Sequence, residues 1–170
     1  MKRCVLVLGG ARSGKSRYAE ALAAEHRGAR VYVATAEAGD AEMRQRILEH
    51  RERRGDGWRT VEETLRLTDV LAREGVAGRF ILVDCLTLWI SNLMQHDRDV
   101  AGDVGALARL VGELPASVAI VSNEVGLGIV PDNALARRFR DCAGLANQRI
   151  AAASSEVIFM AAGQPLKLKG

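Results

Sequence analysis

Five short runs of the chain are apolar at nearly every position: 4–9 (CVLVLG), 31–36 (VYVATA), 80–86 (FILVDCL), 117–123 (SVAIVSN) and 156–162 (EVIFMAA). A strand that is apolar at odd and even positions alike has both faces covered, as in a parallel sheet held between helices. Longer amphipathic stretches separate these runs and predict helices over 15–27, 41–54, 63–74, 87–96, 103–113 and 133–154. The alternation predicts a three-layer α/β fold with a mostly parallel sheet. No internal repeat, low-complexity tract or linker interrupts it, and 170 residues fit a single domain, 1–170. The segment 95–103 (QHDRDVAGD) is expected to be an exposed, mobile connection.

Composition narrows the function classes. Nearly half of the residues are hydrophobic and a quarter charged, as in a globular protein with one real core. No apolar run approaches the ~18 residues of a membrane span. The N-terminal apolar run is too short for a signal peptide and has no cleavage site of small residues, so a cytoplasmic location is expected. Cys4, Cys85 and Cys142 are too far apart for a zinc site or a disulfide framework; the first two lie in apolar runs and read as packing. Twenty of the 24 basic residues are arginine, a side chain suited to phosphate and carboxylate. With only seven aromatic residues and no basic tail, nucleic acid is not the expected partner.

The strongest chemical signal follows the first strand. Residues 9–16 read GGARSGKS, a phosphate loop with Gly9, Gly14, Lys15 and Ser16 at the fixed positions of G-x-x-x-x-G-K-[ST]. A strand before it and a helix after it are the context the motif requires. The glycines let successive N–H groups turn inward as an anion nest, at the positive end of the helix. Lys15 is placed for the β- and γ-phosphates and the Ser16 hydroxyl for Mg²⁺. The metal's second protein partner in such sites is an acid ending an apolar strand, and Asp84 occupies that position; capping the next helix is its alternative role. Asp84 is not followed by the glycine of a GTPase switch, and the later strand ends in SNEV rather than a base-reading N-K-x-D. The size suits a small-molecule kinase or nucleotidyl transferase better than a motor.

His50 lies in the helix predicted over 41–54. At 100° per residue it shares a face with Met43, Ile47 and Arg54, so it extends an apolar stripe. That position fits a core-edge histidine. Arg44, Arg46, Arg51, Arg53, Arg54 and Arg59 crowd the same stretch. Converging on the ring, they would favour its neutral, nucleophilic form, and they could also hold a triphosphate. Spacing alone leaves both readings open.

The segments LVLGGARSGKSRYAE, VATA, EMRQRILEHRERR, WRTVEE, NEVGLGIVPDNALARRFRDCAGLANQRIA and GQPLKLKG occur in this order. Together they resemble the bifunctional adenosylcobinamide kinase / adenosylcobinamide-phosphate guanylyltransferase family of cobalamin biosynthesis, over essentially the whole chain. The resemblance implies a RecA-like fold and a homotrimer with active sites between subunits. It implies two reactions. ATP or GTP phosphorylates the aminopropanol hydroxyl of the corrinoid adenosylcobinamide. GTP then passes GMP through a histidine to the new phosphate, giving adenosylcobinamide-GDP. The guanylylated histidine falls on His50. The family's nucleotide contacts fall on Gly9, Gly10, Ala11, Arg12, Ser13, Gly14, Lys15 and Ser16, on Ala34, Thr35 and Ala36, on Arg51, Glu52, Arg53 and Arg54, and on Glu62 and Asp84. The alternative is a single-activity P-loop kinase with His50 structural. The stretch 123–133 (NEVGLGIVPDN) reads as a structured loop at a strand end, where open α/β sheets bind ligands, and is expected to touch the corrinoid or a neighbouring subunit.

Overall fold

A computed structural model describes residues 2–37, 45, 52 and 54–170. Seven strands form one sheet: β1 (Cys4–Gly9), β2 (Arg30–Ala34), β3 (Trp58–Glu62), β4 (Phe80–Asp84), β5 (Ser117–Asn123), β6 (Glu156–Ala161) and β7 (Gln164–Lys169). Their order is β3-β2-β4-β5-β1-β6-β7. All neighbours run parallel except β6 and β7, which form a hairpin. One strand, β5, separates the phosphate-loop strand β1 from the acid-bearing strand β4. That is the RecA-like arrangement.

Alternation along the strands builds two cores. Leu6, Leu8, Val33, Ile81, Val83 and Ile120 point to one face of the sheet. There they meet α2 (Leu67–Glu74), α3 (Leu86–Gln95), α4 (Val100–Glu113) and α5 (Ala134–Ala153). Val5, Val7, Tyr32, Leu82 and Val121 point to the other face, against Ala19 and Ala23 of α1 (Lys15–Ala24). This is why the central strands are apolar at nearly every position.

The structure corrects the sequence reading at the margins. β3 and β7 were not expected as strands. Both are edge strands with largely exposed residues, so neither carries the two-faced apolar run. The segment 95–103 is not one long connection. Only 96–99 links the helices, and the Asp99 side chain accepts from the Gly102 N–H to open α4 at Val100. The helix expected from 63 begins at Leu67, because the Glu63 carboxylate takes the N–H groups of Leu65 and Arg66 in the preceding turn. Of the helix expected over 41–54, Gln45, Glu52 and Arg54 are helical and the other positions lie outside the described residues.

Glu74, at the end of α2, is only 2% exposed. Arg73 Nε donates to it at 3.1 Å and Arg79 at 2.8 Å, and Arg59 of β3 pairs with it as well. Burial pushes its carboxyl pKa up, but the three arginines outweigh that and hold it below the ordinary value. A depressed pKa stabilises the fold above the ordinary glutamate pKa, and that stability is lost as pH falls through the folded value. Glu74→Gln should therefore flatten the decline in denaturant stability below about pH 4.5. Glu74→Ala should cost about 2 kcal/mol, less than a fully buried pair, because the freed arginines can turn to water.

Candidate functional site

The phosphate loop lies at the C-terminal edge of the sheet. β1 ends at Gly9 (φ +150°), the chain turns through Arg12 (φ +54°) and Gly14 (φ +100°), and α1 begins at Lys15. The loop is held from two sides. Glu124 N–H at the end of β5 donates to Gly9 O at 3.0 Å, and Gly163 N–H in the β6–β7 turn donates to Ser13 O at 3.0 Å. The hairpin thus buttresses the loop, a contact that no sequence motif announces. Lys15 is buried, with Nζ 2.5 Å from Gly10 O and 3.5 Å from Ser13 Oγ. Burial lowers its pKa, against the opposing pull of Cys85 and Asp84.

The structure brings the expected metal pair together. Ser16 Oγ donates to Asp84 Oδ2 at 3.1 Å across 68 residues of sequence. Cys85 rather than Asp84 stands at the N-cap of α3, and the Cys85 side chain makes no cap hydrogen bond. The same Asp84 Oδ2 accepts from the Tyr32 hydroxyl at 3.1 Å. A hydroxyl and a carboxylate beside a phosphate loop fit Mg²⁺, which takes one or two protein oxygens and completes its shell with phosphate and water. Among the described residues no group of three His, Cys, Asp or Glu offers a competing all-protein cage.

The remaining expected residues divide. Ala34 pairs with Asp84 on one side and Glu62 on the other, so the three end adjacent strands in one row. Glu62 is exposed there. Thr35 is fully buried, and its hydroxyl both accepts from Cys85 N–H and donates to Cys85 O, each at 2.8 Å. Its side chain thus ties the end of β2 to the end of β4. Asn92 Nδ2 bridges Thr35 O (2.8 Å) and Thr64 O (3.1 Å), and Trp89 Nε1 donates to Leu65 O at 2.8 Å, so α3 fixes the loops after β2 and β3 from below. Glu52 is exposed. Arg54 places its guanidinium 3.3 Å from the Tyr32 ring centroid. His50, Arg51 and Arg53 lie outside the described residues.

Of the stretch 123–133, expected as a loop at a strand end, Asn123 is the last residue of β5 and 124–133 links it to α5. Asn133 closes it by accepting from Leu135 and Ala136 N–H to cap α5. Leu127, Ile129 and Val130 on this link are exposed, Ile129 at 97%. Among the described residues no helix is long and apolar enough to cross a membrane.

A family model described as cobinamide kinase / cobinamide phosphate guanyltransferase matches residues 5–168. A Pseudomonas aeruginosa protein, "Bifunctional adenosylcobalamin biosynthesis protein CobP", is 54% identical over 97% of this chain and 96% of its own length. The Escherichia coli K12 protein of the same description, CobU, is 39% identical over 97% of this chain and 99% of its own. Among solved structures, the P4 protein from bacteriophage phi6 in complex with ADP aligns at TM-score 0.49 and 17% identity, over 96% of this chain and 52% of that one.

Proposed function

The chain belongs to the cobinamide kinase / cobinamide phosphate guanyltransferase family, and we propose that it carries out both reactions at its single phosphate loop. The observation that carries this reading is the meeting of Ser16 and Asp84 at 3.1 Å beside Lys15. In the first reaction the aminopropanol hydroxyl of adenosylcobinamide attacks the γ-phosphorus of ATP or GTP. A new O–P bond forms, the bond to the β–γ bridging oxygen breaks, and the hydroxyl proton passes to solvent. Inward N–H groups of residues 9–16 and the Lys15 ammonium bind the phosphates and spread the developing charge. Ser16 and Asp84 would hold Mg²⁺, which neutralises phosphate charge when bound.

In the second reaction a His50 ring nitrogen attacks the α-phosphorus of GTP and pyrophosphate leaves. The corrinoid phosphate then displaces the histidine, giving adenosylcobinamide-GDP. Covalent catalysis divides one nucleotidyl transfer into two in-line displacements. Supporting this role, Arg54 lies over Tyr32, which bonds the metal carboxylate, and four residues of chain span at most about 14 Å. Arg51, Arg53, Arg54 and Glu62 serve the guanine nucleotide in this reading. The partners are small molecules in the cytoplasm rather than nucleic acid. The enzyme assembles as a homotrimer: exposed Leu127, Ile129 and Val130, Leu135 and Leu145 of α5, and Leu166 and Leu168 of edge strand β7 all belong to the C-terminal third. The 124–133 loop then meets the corrinoid or the next subunit. Sedimentation equilibrium reads the assembly.

Incubation with α-labelled GTP tests the central step. The expected result is acid-labile label on the protein with stoichiometric pyrophosphate, absent in His50→Ala while corrinoid phosphorylation continues. Unlabelled wild-type protein that still phosphorylates the corrinoid would show instead a single-activity kinase.

A further inference from the structure

We propose that Tyr32 is a positioning residue that joins the arginine end of the 41–54 stretch to the metal carboxylate. The inference rests on Asp84 as the metal's protein acid. Tyr32 and Asp84 face the same side of the sheet as α1: Tyr32 pairs with Leu82, two residues before Asp84. The phenol donates to Asp84 Oδ2 at 3.1 Å, the oxygen that also receives Ser16 Oγ. A phenol that gives its proton to a carboxylate oxygen is a fixed donor, and a fixed donor restricts where the carboxylate can point.

The ring does a second task. The Arg54 guanidinium stacks 3.3 Å from its centroid, while Trp58 meets it edge-on at 6.2 Å and 88°, so the ring is fixed beneath the cation. Arg54 Nε is buried and has no hydrogen-bond acceptor among the described residues. A buried donor without an acceptor is costly, and a nucleotide oxygen would supply one. Tyr32 therefore touches both groups that must agree in position when a nucleotide binds: through oxygen the carboxylate, through the ring the arginine. Simple packing is the competing account, since Tyr32 is only 6% exposed in the core on the α1 side.

The test is binding of a fluorescent, non-hydrolysable guanine nucleotide titrated with Mg²⁺. Tyr32→Phe keeps the ring and its packing and removes only the hydroxyl. It should raise the Mg²⁺ midpoint about fivefold, as loss of one hydrogen bond to a charged group predicts. Nucleotide affinity at saturating Mg²⁺ should stay near wild type. Tyr32→Leu and Arg54→Ala should each weaken nucleotide affinity at saturating Mg²⁺ about fivefold. The double variant should be no worse than either single one, because one interaction is lost in all three. A wild-type midpoint in Tyr32→Phe, or additive losses in the double variant, overturns the proposal. Asp84→Asn separates the two levels. If it too leaves the midpoint unmoved, the metal role of Asp84 fails; if it raises the midpoint and Tyr32→Phe does not, the role given to Tyr32 fails alone.

Discussion

Lys15→Ala is expected to slow corrinoid phosphorylation and His50 guanylylation alike, each by about 10³-fold, the scale of removing one preorganised charge partner from a transition state. The sequence holds one phosphate loop, and in the proposed reading both triphosphates use it. Charge grows on β-phosphate oxygens in both reactions: on the β–γ bridge when the γ-phosphoryl leaves, and on the α–β bridge when pyrophosphate leaves. Lys15 is suited to both because it is already desolvated. Its Nζ is held by Gly10 O and Ser13 Oγ, and burial has lowered its pKa, so the ammonium is poorly compensated until a phosphate arrives. Single-turnover assays with γ-labelled ATP and α-labelled GTP read the two steps separately. His50→Ala provides the contrast, losing the second label only. Lys15→Ala with a wild-type guanylylation rate would place the second triphosphate in a different pose.

What could be read in the sequence follows from how local each signal is. The phosphate loop lies in eight consecutive residues between a strand and a helix, and the structure has both elements there. The central strands announce themselves because helices cover both faces. β3 and β7 do not, since WRTVE and QPLKLK face water along much of their length. Asp84 could be placed at a strand tip, but its hydrogen bond with Ser16, 68 residues away, could not be read there. Tyr32 carried no signal at all. In VYVATA it reads as one more packing aromatic, and its hydroxyl partner lies 52 residues on. The Thr35 side chain shows the opposite error of resolution. Its neighbourhood to the site was legible, while the burial of its hydroxyl against the Cys85 peptide was not.

The second large effect separates two adjacent glycines. Gly9→Ala should lower stability by about 3 kcal/mol, roughly 10 °C in Tm for a chain of this size, and should weaken nucleotide binding more than tenfold. Gly10→Ala should change stability by no more than about 0.5 kcal/mol. The reason lies in what a Cβ would meet. At Gly9, with φ +150°, it would fall 2.5 Å from Met160 O and 2.6 Å from Ser13 Oγ. Met160 is the β6 partner of Gly9 in the parallel ladder, so its carbonyl cannot retreat without opening the β1–β6 pairing. Ser13 cannot retreat freely either, since its carbonyl is held by Gly163 and its hydroxyl lies near Lys15. A Cβ at Gly10 meets nothing within 4 Å and the backbone there needs no positive φ. Thermal melts of both variants, with nucleotide titrations of Gly9→Ala, decide the matter. Equal melts would mean that the loop is not clamped by β6 and the hairpin turn. Unequal ones would tie the shape of the phosphate cradle to a strand more than 140 residues further along the chain.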